Sequence, residues 1–247
     1  FTDVNPEAYE LYLKGKYLFK NRESFNDVEV ARGLFRKAID LDENLLIAHN
    51  FLGITYVNYG EQEKAKDILL PTLKKAEESN DKENIATAVN LIGILYWQQN
   101  STDTALTYFE RNLAICNQLG NRQGEAAVYN NIGTVYLKKG NIEKGLEYLL
   151  KNLALNEEME DRLAQAGVLN NVGSAYFQIG DYENALNSCL KSIEMKLELE
   201  DDAFSFMWSY LTTSFIYAEL NDFENAKNNI EKSLEIQENL KFKMLKD

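Results

Sequence analysis

Asn130-Asn131-Ile132-Gly133-Thr134-Val135-Tyr136 decides the reading of this chain, because the same pattern stands forty residues away on both sides of it. It reads NFLGITY at 50–56, NLIGILY at 90–96 and NNVGSAY at 170–176, so Gly53, Gly93, Gly133 and Gly173 are spaced without a slip. A fixed period of this size marks a stack of equivalent supersecondary units. A fifth copy begins at Leu211, shifted by one residue with Ser214 in the glycine place. An irregular last copy is what a terminal repeat looks like.

Seven residues after each glycine stands a residue that tolerates the left-handed end of a helix: Gly60, Asn100, Gly140, Gly180 and, after Ser214, Asn221. Ser101, Asn141, Asp181 and Asp222 follow as N-caps for a second helix. Further breaks recur at Asn80-Asp81, Gly120-Asn121, Glu160-Asp161 and Asp201-Asp202. Each copy is therefore helix, tight turn, helix. Twelve positions beyond the glycine the second helix carries a small residue (Ala65, Ala105, Gly145, Ala185, Ala226), and four later Leu69, Phe109, Leu149, Cys189 or Ile230. That spacing puts both on one face. A glycine inside a helix costs about 0.5–1 kcal/mol relative to alanine, so the repeated glycines read as places without room for a Cβ.

This succession, a glycine, a tyrosine three residues on, then a small and a large apolar residue in the next helix, resembles the tetratricopeptide repeat. The resemblance covers nearly the whole chain in a long, forty-residue form like that of kinesin light chains and polarity adaptors. It implies an all-α fold, a right-handed superhelical solenoid of about six helical hairpins. The array runs as a single domain over 1–247, with repeats at 5–43, 44–80, 81–120, 121–160, 161–200 and 201–245. The first departs from the pattern, with AYELYLKGKYLF and ARGLFRKAIDLDEN joined by a longer connection near Asn21 to Asp27, and Ala31, Phe35 and Ala38 at the small, large and small places. NPEAYELYLKGKYLF also resembles segments that open repeat regions in bacterial nucleotide cyclases, kinases and transcription regulators. With Phe1 in place of an initiating Met, this suggests the regulatory part of a larger signalling protein.

Composition agrees. With only two prolines, Pro6 and Pro71, long uninterrupted helices are permitted almost everywhere. The net charge of −13 disfavours nucleic acid and anionic lipid, which are bound chiefly by clustered Lys and Arg. It steers instead toward a basic protein or peptide, as do the acidic runs at 157–161 and 198–202. No apolar stretch is long enough to span a membrane and no leader is evident, so membrane insertion is not expected and the cytoplasm is the expected compartment. Cys116 and Cys189 read as small core residues, not a disulfide or metal pair.

In the first helix, positions spaced three and four from the glycine face share the opposite stripe, which in this family lines the inside of the superhelix. That stripe carries Asn50, Asn90, Asn130 and Asn170, beside Thr134 and Ser174 and the aromatics Trp97 and Phe177. Amides donate and accept, so a ladder of them suits the backbone of an extended peptide. The alternative is a structural ladder bonding helix to helix, and Trp97 and Phe177 read equally as core. Asn131 and Asn171, present at the next position in two repeats only, are expected to face neighbouring helices or solvent. On the last hairpin Phe204, Phe206 and Trp208 form either a homodimer surface or the seat of a further helix.

His49, the single histidine, has no partnered nucleophile or carboxylate in the pattern, and no phosphate loop or metal-ligand spacing is present. The expectation is a non-enzymatic scaffold without cofactor that binds a protein or peptide segment.

Overall fold

The computed structural model describes residues 4–199 and 203–244, and among these there are helices and no strands. Contacts divide the chain into two compact units, Phe1–Gly120 and Asn121–Asp247. The first contains α1 (Pro6–Lys20), α2 (Phe25–Leu41), α3 (Leu46–Asn58), α4 (Gln62–Glu78), α5 (Lys82–Gln98) and α6 (Thr102–Leu119). The second contains α7 (Arg122–Lys138), α8 (Ile142–Glu158), α9 (Arg162–Gln178), α10 (Tyr182–Glu198), α11 (Ala203–Glu219) and α12 (Phe223–Met244). In each unit consecutive helices pair as hairpins, and each hairpin packs on the next through its neighbouring helix.

The glycines do what their spacing implies. A Cβ on Gly53 would stand 2.4 Å from Leu69 Cδ2, and one on Gly93 2.7 Å from Phe109 Cε1. One on Gly173 would meet Cys189 Sγ at 2.4 Å and the Ala185 carbonyl at 3.0 Å. The small and large residues of the second helix are thus the surfaces the glycine accommodates, and Ala65, Leu69, Ala105, Phe109, Leu149, Ala185 and Cys189 are buried. The recurrent tyrosine seals the same hairpin: Tyr96 stacks on Tyr108 with centroids 5.5 Å apart, and Tyr136 on Tyr148 at 5.8 Å.

Left-handed backbone falls every twenty residues, at Gly60, Asn80, Asn100, Gly120, Gly140, Glu160 and Gly180, and again at Asn221. Turns within hairpins and turns between them therefore use one corner geometry. Glu160, with φ 56°, occupies it without the flexibility of glycine or the local side-chain bonding open to asparagine. Asp81, Asn121, Asn141, Asp161, Asp181 and Asp222 accept an amide of the helix they open. Ser101 stands at the N-cap of α6 but makes no such bond, which corrects the expectation for it.

The first hairpin is fixed by a buried cation. Arg32 is 2 % exposed, and its guanidinium donates to both the carbonyl and the hydroxyl of Thr55. It pairs with Glu29 and Glu61.

The last hairpin differs from the sequence reading in two places. Phe206 is buried, while Ile230, expected at the large packing place, is 38 % exposed. Two hairpins earlier the equivalent Leu149 is closed over by Val168 and Val172 of α9. Among the described residues α12 packs on α11 alone, so nothing closes over Ile230 in the same way. The side chain of Phe204 and residues Glu200 to Asp202 lie outside the described residues.

Candidate functional site

In the second unit the helical period places Asn130 on the face of α7 that meets α9. The Asn171 amide nitrogen donates to the Asn130 oxygen at 2.9 Å, and both residues are half-buried. Asn170, one position away, has a buried Oδ1 without a hydrogen-bond partner. Leaving a buried acceptor unsatisfied costs roughly 1–3 kcal/mol, which an N–H donor from a bound molecule would recover.

Two cavities adjoin these amides. One, of about 400 Å³, is walled by Gln123, Asn130, Asn152, Asn156, Asp161 and Asn171, with small residues of α7 and α9 between them. The other, of about 420 Å³, is walled by Asn170, Asn171, Ser174, Lys196, Trp208 and Thr212. Gly167 lines both.

Among the described residues Asp161 is the only charged residue lining the first, held by its bond from the Ala164 amide at 3.0 Å. Among the described residues Lys196 is the one charged residue lining the second; it is 4 % exposed, and its ammonium donates to Ser209 at 2.9 Å among its contacts. Asn152 and Asn156 are buried and joined to each other, which fixes the floor of the first cavity. Beside the site, burial and then the bond to Glu125 push the Tyr129 phenol up to about 12. Burial likewise pushes the Cys189 thiol to about 12. Neither group lines either cavity.

The structure separates the residues that one periodic position had grouped. Asn130, Asn170 and Ser174 line the two cavities. Thr134 turns its hydroxyl to the Asn131 carbonyl at 2.9 Å. Phe177 is half-buried against the Ala185, Cys189 and Ile216 cluster, its ring 5.7 Å from that of Tyr182. In the first unit, Asn90 and Trp97 are half-buried. Asn50 is fully buried and its amide donates to Asn84, so it joins α3 to α5 and presents no open surface.

Several lining residues were not read from the sequence as site residues, among them Asp161, Gly167, Asn171, Lys196 and Trp208. Asn171 faces a neighbouring helix as expected, bonding Asn130 of α7, and it also lines the two cavities, which was not expected. Trp208, expected at a dimer surface or under a further helix, is 52 % exposed on the wall of the second cavity. Among the described residues no cluster of His, Cys, Asp or Glu is arranged to hold a metal ion, and no helix is long and apolar enough to cross a membrane.

Comparison with known proteins agrees with this architecture. One family model, described as a tetratricopeptide repeat, matches residues 83–158 and 124–198, and a second of the same description matches 209–240. No curated protein matches the sequence. Among solved structures, the chain is similar to NprR in complex with its cognate peptide NprX, with a TM-score of 0.73 and 18 % identity over 94 % of this chain and 68 % of that one. It is similar to BtubC from P. vanneervenii, with a TM-score of 0.67 and 16 % identity over 98 % of this chain and 93 % of that one. A signal-transduction ATPase with a tetratricopeptide repeat sensor, from Pyrococcus horikoshii, gives a TM-score of 0.70 and 18 % identity over 93 % of this chain and 38 % of that one. At these identities the likeness is one of fold.

Proposed function

Because this chain belongs to the tetratricopeptide repeat family, we propose that it is a non-catalytic interaction module that takes an extended protein segment across α7, α9 and α11 of its second unit. The observation that carries this is the unpartnered, buried Oδ1 of Asn170 beside the Asn130–Asn171 amide pair, at the wall of open cavities. A peptide backbone offers N–H and C=O groups at the spacing such amides match, whatever its side chains. The chain's −13 charge favours a basic partner in the encounter. No cofactor enters this reading, and it places the protein in the cytoplasm. The peptide bound by NprR supports the mode of binding by likeness of fold alone.

The test is capture of partners from extract of the native cell by the wild-type array and by an Asn130→Ala, Asn170→Ala variant, compared by mass spectrometry. A partner missing only from the variant, with the melting temperature within about 3 °C of wild type, is expected. The same partners on both would refute the site.

A second reading is that the array is the sensory part of a larger bacterial signalling protein, such as a nucleotide cyclase, kinase or transcription regulator. It is favoured by the NPEAYELYLKGKYLF segment, which folds as α1, and by likeness to an ATPase whose repeats are its sensor. Sequencing the gene upstream of Phe1 tests it, and a reading frame starting within a few codons would end it. A homodimer through the last hairpin draws on the exposed Trp208, Phe223 and Leu234, and sedimentation equilibrium checks it.

A further inference from the structure

Gly167 stands inside α9, where glycine weakens a helix relative to alanine, yet nothing packed against it asks for glycine. A Cβ there would meet no atom within 4 Å, whereas one at Gly173, six residues on in the same helix, would collide with Cys189. The equivalent residues in the preceding repeats are Ile47, Thr87 and Ala127. Gly33 of α2 has similar open space but lies outside the two cavities. Gly167 lines both of them, at the ridge where they meet, next to Asn171 and one turn before Asn170. A missing side chain at such a ridge lets another backbone come close.

Resting on the peptide-binding reading, we infer that the ligand's main chain crosses α9 over Gly167, so that side chains on either side of the crossing enter the two cavities. The cavity on the α7 side, with Asp161 as its one charge and with Asn130, Asn152, Asn156 and Gln123 around it, takes a basic side chain. The cavity on the α11 side, walled by Asn170, Ser174, Thr212 and the exposed Trp208, takes an apolar one. Consecutive first helices lie about 10 Å apart, the length of roughly three extended residues, so the two side chains are about three positions apart. The ligand is therefore an extended peptide of unlike ends, and the site reads its direction.

The experiment is selection of a displayed random twelve-residue peptide library on the intact chain, followed by fluorescence titration of the best synthetic peptide against variants. Enriched sequences are expected to carry Arg or Lys about three residues from an apolar or aromatic residue, in one constant order. Gly167→Ala is expected to raise the melting temperature while weakening binding about fivefold or more, and Gly167→Leu to weaken it at least fiftyfold with helicity unchanged. Asp161→Asn, which keeps the N-cap, is expected to reduce the preference for Arg over Gln at the basic place about tenfold. A glycine with a merely structural role would not raise stability and lower affinity together. Peptides that bind Gly167→Leu as they bind wild type, while Asn130→Ala and Asn170→Ala still weaken them, would overturn the crossing and leave the peptide site standing. If no peptide is enriched, or the asparagine variants bind unchanged, the peptide-binding reading falls and the crossing with it.

Discussion

The guanidinium carbon of Arg32 lies 4.4 Å from the centre of the Tyr56 ring, joining the second helix of one hairpin to the first helix of the next. Stacking, two bonds to Thr55 and the Glu61 carboxylate satisfy the head group of a charge withdrawn almost wholly from water. Replacement by Ala removes the donor from the Thr55 side chain and carbonyl and leaves Glu61 with Lys64 alone, and Lys has neither the plane to stack nor the fork to reach both. Arg32→Ala is expected to cost roughly 2–4 kcal/mol in urea unfolding, discounted for the partial exposure of Glu61, with Arg32→Lys recovering less than half. A loss below about 1 kcal/mol would show the cation to be dispensable.

Gly173 meets both a side chain and a backbone carbonyl, so its neighbours cannot simply rotate away. Gly173→Ala is expected to destabilise the second unit by about 1–3 kcal/mol, as overpacking does. Cys189→Ala removes the nearer of the two contacts, and a double-mutant cycle by thermal denaturation should recover part of the loss. Strict additivity would deny the contact.

Glu160 holds a left-handed backbone that costs an ordinary residue about 1–2 kcal/mol. Glu160→Gly, after the added freedom of the unfolded glycine is subtracted, should gain roughly 0.5–1 kcal/mol, a rise of a few degrees in melting temperature. A fall would mean that the Glu160 side chain contributes more than its exposure suggests.

Most of this architecture can be read in one dimension, and the reason is physical. A glycine is demanded wherever two helix axes approach too closely for a Cβ, and that demand recurs at each hairpin, so Gly53, Gly93, Gly133 and Gly173 announce the period directly. Burial depends on three-dimensional neighbours and leaves no such mark. Asn50 and Asn130 are equivalent in the pattern, but Asn84 closes over the first, and no repeat count foretells it. Asn171 was placed against a neighbouring helix, but its part in the site was not legible, because its partner lies 41 residues away. The role of Trp208 depends on Gly167, which stands on another helix.

Burial first, partly offset by the bond with the Glu43 carbonyl, holds the His49 imidazole below its ordinary value. The folded state therefore binds its proton less readily than the unfolded chain. This contribution is fully present above the unfolded pKa of about 6.5 and is lost as the pH falls through the lower folded value. Stability of the wild type relative to His49→Gln, from urea titrations at pH 7.5, 6.5 and 5.5, should decline toward the acid end. A flat difference, or one rising with acid, would contradict it.

The recurrence of a single left-handed corner every twenty residues bears on how such a chain changes over generations. Loss or duplication of forty residues, cut at any corner, rejoins two ends of the same conformation and returns a first helix to the place of a first helix. A cut of twenty would also rejoin smoothly, but would set a glycine-bearing helix where its large counterpart belongs, and packing would fail. Viable length variants should therefore differ by whole hairpins, each bringing its own stability and its interface with one neighbour. Recombination can edit the number of binding positions without inventing a turn.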